Sequence, residues 1–489
     1  MKTQNRSTTP PCLYDEEKDS FITRGSLLTK GGRLKSYEFI NPVPGSDERQ
    51  SGVFPAIFNL SSTILGGGIL SLPFTFAKLG WGLGMVILVS VALASDFSLY
   101  ILCSCSRRSG TISYMEVVKY SFGEAGYYFV TMMLSIFILL IVVAYNVLVR
   151  DIASGVVEFI IGYTLDTDDR DKVLICCIIF MSPLCFFNSL YSLRYTCYLG
   201  FCAMCVLAAS LVYSSLQVNS AHPDLFAANA MVATSSVQDV LFVLPILAVS
   251  YVCQFNMLSV HCKLKHPTRQ RIRTTIDCSI GVATLIYSIV AIAGYLYAYD
   301  KTSDNIFNNF ASSDKLLLVG RLGLFITLMC AMPMMVLPCR ENSLLLLGDT
   351  CKALKMCDTS ATTEETLPLD PGLERQSFSE MTRELDKKDK CCGDPCGLLT
   401  HVMSTVGIVV FALYLAICIP GVAVVWSIAG STLGLLFSFV LPAACYLKMR
   451  WEKKHSKVKV GAMIMLVLSS ILMVFCTIQS VSRALASGS

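Results

Sequence analysis

Three adjacent glycines, Gly66, Gly67 and Gly68, sit in the middle of the apolar stretch Phe58–Trp81, FNLSSTILGGGILSLPFTFAKLGW, with Pro73 shortly after. Each glycine costs a helix interior about 1 kcal/mol relative to alanine, and proline removes a backbone donor. Within a bilayer, broken backbone persists only where protein buries it or where it lines a cavity. The stretch therefore reads as two half-helices meeting at an unwound hinge. Freed amides opening the second half suit a carboxylate, and freed carbonyls closing the first suit a cation. Taken alone, the run reads equally as a helix kinked to pack against small residues.

A second interruption removes much of that ambiguity. QDVLFVLPILAVSYVCQFNMLSVHCK carries Pro245 early, and then Ser250, Tyr251, Cys253, Gln254 and Asn256 break the apolar run. Polar side chains at that depth are costly unless they face a cavity or a partner. The competing reading is a helix whose polar residues bond to neighbouring helices.

Other residues could carry chemistry. Asp96 lies inside LVSVALASDFSLYILC. Such an acid is either a proton carrier or, near the cytosolic end, a group solvated or bonded to a neighbouring helix. Asp277 follows Arg273 and reads as an ordinary ion pair. Arg150 and Asp151 read as interfacial, and Tyr145 and Asn146 either line an outer path or pack. His261, His266 and His401 have no metal-ligand spacing around them. Cys391, Cys392 and Cys396 beside a span suit palmitoylation, or an unmodified linker. No P-loop, nucleophile motif or selectivity-filter repeat is present, which argues against an enzyme or a channel.

These residues need elements to hold them. The chain has 489 residues, 54% hydrophobic and 15% charged, and a mean hydropathy of +0.60. Soluble domains carry roughly 25% charged residues. The chain is read as an all-α polytopic membrane protein. Stretches of about 20 apolar residues fall near 53–77, 81–105, 125–149, 173–191, 195–216, 239–261, 274–299, 315–348, 398–419, 421–447 and 459–481, eleven in all. Alternate loops are basic, with Arg107, Arg108 and Lys119, then Arg194, then Lys263 to Arg273, then Lys448 to Lys459. The opposite loops are acidic or nearly free of Lys and Arg. This places the N-terminus inside and the C-terminus outside or in a lumen. Residues 1–50, polar and mixed in charge, are expected to be a disordered cytosolic tail. Residues 51–485 form the transmembrane domain, with a cytosolic loop at 350–397. The net charge of +4 is small and implies no nucleic acid.

The two interrupted spans are the first and the sixth. Five spans per half is an odd number, so the halves must be inverted relative to one another, with a midplane site between the hinges. The eleventh span is an addition.

FNLSSTILGGGILSLPF, SYVCQFNMLSVHCKLKHPTRQR, GYLYAYDKTSDNIFNNF, MPMMVLPCRENSLLLL and VWSIAGSTLGLLFSFVLPAACYL, in this order over about 50–480, resemble the amino acid/auxin permease superfamily. Within it they are most similar to the sodium-coupled neutral amino acid transporters. The resemblance implies a LeuT-like fold, a 5+5 inverted repeat plus one helix, and secondary active transport of amino acids, neutral ones by preference, with H+ or Na+. The alternative is an amino-acid-sensing receptor that retains the fold. No cofactor is implied, and the membrane is either the plasma membrane or that of a vacuole or lysosome. The hinge Gly66–Gly68 would hold the substrate α-carboxylate. Thr63, Ser250, Tyr251, Cys253, Gln254 and Asn256 would complete the pocket. Relatives place an Asn in the first span and a Thr in the eighth near Na+. Here those positions are Ser62 and Met329 or Ala331. Ser62, Asn59, Thr63 and backbone carbonyls still offer oxygens, which Na+ requires, and Thr327 needs a shift of register. With a proton instead, Asp96 is the candidate.

Overall fold

The computed structural model describes residues 51–111, 113–186, 196–265, 268–310, 315–358, 395–419, 421–451 and 456–487, together with 13–15 and 20–22. The two short pieces are strands β1 (Leu13–Asp15) and β2 (Ser20–Ile22), paired antiparallel. The rest of the tail expected to be disordered lies outside the described residues, as do His266, Cys391 and Cys392.

The first span is α1 (Val53–Ile64), a 3-10 segment Gly67–Ser71 and α2 (Leu72–Leu79). The halves are bent by 49°. Gly80 carries the chain into α3 (Trp81–Ser109), which stops where Gly110 turns left-handed at φ 74°. A capping box then opens α4, as the Ser113 amide donates to Glu116 Oε2 at 3.3 Å. α4 runs from Tyr114 to Ile161 with a kink at Gly123, φ 78°. The segment before the third span is therefore a helical arm, where the sequence suggested only loop.

α5 (Thr167–Cys185), α6 (Thr196–Ala221) and the short α7 (Asp224–Asn229) follow. The sixth span is α8 (Val237–Ser250) and α9 (Gln254–Lys263), interrupted at 251–253. α10 spans Arg269–Ala298, capped by Thr268 Oγ1, which accepts from the Arg271 amide at 3.2 Å. Two 3-10 turns, Tyr299–Lys301 and Ile306–Asn309, form a strap before α11 (Lys315–Asp358). α12 is Pro395–Cys418. The tenth span is α13 (Val422–Ala429), two π-helical turns over Gly430–Gly434 and Leu436–Val440, and α14 (Leu441–Met449). α15 (Lys457–Ser487) closes the fold.

Among the described residues, nine helices are long and apolar enough to cross a membrane, and the bent first pair brings the number to ten. The one expected span not among these ten, the fourth at 173–191, corresponds to α5. The charged turn TDDRDK opens that helix, and residues 187–195 beyond it lie outside the described residues.

Long-range ties converge on the interrupted helices. Ser51, just before α1, bridges to the end of α9: its amide donates to Lys263 O at 3.0 Å and its carbonyl accepts from Lys265 N at 2.9 Å. The first and sixth spans therefore start and end together. α10 lies against both α1 and α2. A Cβ on Gly294 of α10 would collide with Pro73, so glycine there admits α2 to close range.

Candidate functional site

At the first hinge the helical ladder ends with Leu65 N to Ser61 O at 2.9 Å, and Gly66 N turns back to Ile64 O at 2.7 Å. The ladder resumes with Ile69 N to Gly66 O at 3.3 Å. The Gly67 and Gly68 amides precede that first donor, so they are the unladdered N–H groups that open a helical segment. Both glycines are required by close approach. A Cβ on Gly67 would stand 2.8 Å from Leu148 Cδ1 and 3.3 Å from Tyr145 Cε1, both on α4. A Cβ on Gly68 would stand 2.7 Å from Ser250 Oγ. The first hinge thus touches the second directly.

At the second hinge, Tyr251 N reaches back to Ala248 O at 3.2 Å and Val252 N to Val249 O at 3.1 Å, tightening the last turn of α8. Cys253 N then turns to Gln254 Oε1 at 3.0 Å. α9 restarts with Met257 N to Cys253 O at 3.0 Å.

Sequence reasoning missed the group that joins the two hinges. Tyr287 of α10 is fully buried. Its hydroxyl oxygen lies 2.5 Å from Ile64 O and 2.8 Å from Ser250 O. One phenol proton is shared between carbonyls from both interruptions. These are the carbonyls that an unwound helix would otherwise hold open to a cation or an ammonium, so part of the expected acceptor capacity is already engaged. One tyrosine among several in an apolar helix carries no sequence signal for this role.

A cavity of about 560 Å³, counted with its open side, lies between the hinges. Thr63, Ile64 and Gly66–Gly68 form one wall. Val249, Ser250, Val252 and Phe255 form the second. Phe137, Ile141 and Tyr145 of α4, Met335 of α11 and Trp426 of α13 complete it. No lining residue bears a charge. The spacing of Phe137, Ile141 and Tyr145 is one helical face, and Tyr145, which the sequence left between path and packing, stands on the wall.

Of the candidates read from the sequence, Thr63, Gly66, Gly67, Gly68 and Ser250 line this cavity. Tyr251, Cys253, Gln254 and Asn256 do not, because the break turns them outward into neighbours. Tyr251 donates to Thr284 Oγ1 at 2.9 Å and packs edge-on to Tyr287. Cys253 is buried. Gln254 exchanges bonds of 3.4 Å with Ser438, whose carbonyl also accepts from Ser98. Asn256 donates to Thr63 Oγ1 at 2.6 Å, and Thr63 donates to Asn59 O at 2.9 Å, so Asn256 supports the wall from behind.

The ion-coupling candidates disperse. Ser62 Oγ is buried with no hydrogen-bond partner, whereas Asn59 is exposed. Thr327 makes no hydrogen bond to Ser62. It donates to Gly323 O at 2.7 Å, and its methyl faces Gly200 of α6. Asp96 does not reach the cavity: its Oδ2 accepts from Arg273 Nη2 at 2.8 Å, while Arg273 Nε pairs with Asp277 Oδ1 at 2.8 Å. Asp277 pairs as its spacing suggested. His261 is buried. Further along α4, Arg150 donates to Ala416 O at 3.1 Å, and Asp151 accepts from Asn305 at 3.1 Å and Asn308 at 3.4 Å.

An all-helical membrane domain with two facing interruptions around a midplane cavity is the plan of the LeuT-like transporters. The crystal structure of MhsT in complex with L-phenylalanine shares it, with a TM-score of 0.52 at 11% identity over 87% of this chain and 98% of that one. The profile of the family described as transmembrane amino acid transporter protein matches residues 49–482, and the chain belongs to that family. Amino acid transporter AVT6E of Arabidopsis thaliana is 27% identical over 329 residues, 62% of this chain and 65% of its own length. A Danio rerio protein provisionally named sodium-coupled neutral amino acid transporter 11 is 25% identical over 330 residues, 65% of this chain and 73% of its own. Vacuolar amino acid transporter 5 of Schizosaccharomyces pombe is 25% identical over 400 residues, 81% of this chain and 84% of its own.

Proposed function

We propose that this chain is a secondary active transporter of neutral amino acids, working by alternating access around the hinge cavity and coupled to H+ or Na+. The observation that carries the reading is the meeting of the two hinges. Gly67 and Gly68 line a cavity whose lining residues include no charge, and a mostly apolar lining with a few polar groups is usual for small-ligand sites. The amides suit the carboxylate of a zwitterion. The remaining carbonyl lone pairs of the two breaks suit its ammonium, and the wall of Phe137, Ile141, Val252 and Phe255 suits an uncharged side chain. A cationic or acidic side chain would be buried without a counter-charge, at a cost of several kcal/mol.

Coupling to Na+ is supported by Ser62 Oγ, an oxygen buried without a partner beside the first hinge. Coupling through Asp96 is less well supported, since Arg273 already pairs with it. The name of the Schizosaccharomyces pombe relative favours a vacuolar or lysosomal membrane over the plasma membrane.

The test is uptake of a labelled amino-acid panel into proteoliposomes, with Na+ and pH gradients imposed separately. Neutral amino acids should accumulate under one gradient and not the other. Binding with no accumulation under either gradient would sink the transporter reading and leave a receptor.

A further inference from the structure

We infer that the indole N–H of Trp426 donates a hydrogen bond to the carboxylate of the bound amino acid, and that this donor sets the preference of the cavity for amino acids over their decarboxylated amines. The inference rests on the reading of the cavity as an amino-acid site. Trp426 is 4% exposed, and its Nε1 has no hydrogen-bond partner. Buried indole N–H groups ordinarily find one, so a buried, unpaired donor on a cavity wall marks the place of an absent acceptor.

The geometry says which acceptor. Cζ2 of Trp426, bonded to the same ring carbon as Nε1, lies 3.5 Å from where a Cβ on Gly67 would stand. The edge of the indole that carries Cζ2 and Nε1 therefore lies toward the first hinge at Gly67. Tyr145 meets the ring edge-on at 6.4 Å between centroids, with 73° between planes, and holds its orientation. The hydroxyls of Ser250 and Thr63 have already given their protons, to Ile246 O at 2.8 Å and Asn59 O at 2.9 Å. An indole N–H donates and cannot accept. Of the two ends of a zwitterion it can serve only the carboxylate, and an apolar substrate side chain offers it nothing. A site built around such a donor rejects the analogue that lacks the acceptor, because the donor then stays buried and unpaired.

The experiment uses the full-length protein in proteoliposomes. L-alanine, L-leucine and L-phenylalanine are tested for uptake, and their decarboxylated amines as inhibitors. Trp426→Phe should raise KM for the amino acids by about 10- to 100-fold, the span of a lost hydrogen bond to a charged group. Inhibition by the amines should stay within about twofold, so the discrimination collapses. Incorporation of 3-benzothienylalanine at position 426 keeps the bicyclic shape and removes only the donor. It should reproduce the phenylalanine result even if Trp426→Phe folds poorly. Amino-acid KM values unchanged in the benzothienyl protein would overturn the inference while leaving the transport reading intact. A wild-type protein that takes up none of the three amino acids would overturn both.

Discussion

Gly68 and Ser250 show how much a single hydrogen or hydroxyl decides. A Cβ at Gly68 would press on Ser250 Oγ at 2.7 Å but stand 3.5 Å from Ser250 Cβ. The obstacle is one oxygen atom. Gly68→Ala should therefore lower uptake about tenfold, and adding Ser250→Ala should restore most of it, a coupling on the order of 1 kcal/mol. Additive losses in the double variant would show that the hinges do not meet as described. Gly67 is less forgiving, since Leu148, Tyr145 and Trp426 all crowd it within 3.5 Å. Gly67→Leu should abolish uptake while the protein still reaches the membrane, as surface or organelle immunoblots would show; normal uptake would count against a substrate site there. Tyr287→Phe removes the donor shared by Ile64 O and Ser250 O. An unsatisfied buried acceptor costs roughly 1–3 kcal/mol, so the Tm of the purified variant should fall by several degrees. An unchanged Tm together with unchanged uptake would deny Tyr287 its bridging role.

At the scale of elements, the interruptions are held by what packs on them. α10 supplies Tyr287 to both hinges and Arg273 to Asp96 of α3. That ion pair reads as a tie between two helices rather than a proton site. Asp96→Asn should then lower stability and leave the pH response of uptake intact, because the asparagine can still hydrogen-bond Arg273 but loses the charge. Loss of pH-driven uptake with no change in Tm would reverse that assignment. The tenth span offers its own interruption. The second of its π-helical turns contains Ser438, whose carbonyl takes bonds from Gln254 and Ser98. π-turns release carbonyls from the regular ladder, and here one is used to anchor the second hinge. Gly430 lets this span sit directly on Pro245 of α8. On the outer side, Asn305 and Asn308 bond Asp151, Asp304 accepts from the Ala423 amide, and Arg321 bonds Phe307 O at 2.7 Å. The strap from α10 is thereby fastened to α4, α11 and α13, above the cavity.

For the whole molecule, the distribution of Lys and Arg among the loops predicts an orientation. Tags on the two termini should be accessible from opposite sides of the membrane, the N-terminal one from the cytosol. Access to both from one side would remove a span from the proposed set. Part of this architecture was legible without coordinates. Hydropathy over windows of about 20 residues reports the spans because lipid forbids unsatisfied backbone. Gly66–Gly68 and the cluster from Ser250 to Asn256 report the hinges because two such costly interruptions, five spans apart, coincide. The bond between Ser51 and the end of α9 and the arm before Gly123 were not legible, since no local pattern encodes them.

The cavity wall was the least legible part. Tyr251, Cys253, Gln254 and Asn256 are polar and sit at the break, so a linear reading assigns them to the pocket. The periodicity of the helix before the break does not set where side chains point in the break or in the first turn of the helix restarted beyond it, and the structure sends Tyr251, Gln254 and Asn256 to Thr284, to Ser438 and to the back of Thr63. Trp426 and Met335 come from spans with no comparable polar break, and only close packing of distant helices brings them to Gly67 and its neighbours. Sequence alone determined that the chain crosses a membrane repeatedly and where its helices fail, because those are local costs paid residue by residue. Tertiary structure alone decided which faces meet at those failures, because that depends on contacts between segments hundreds of residues apart.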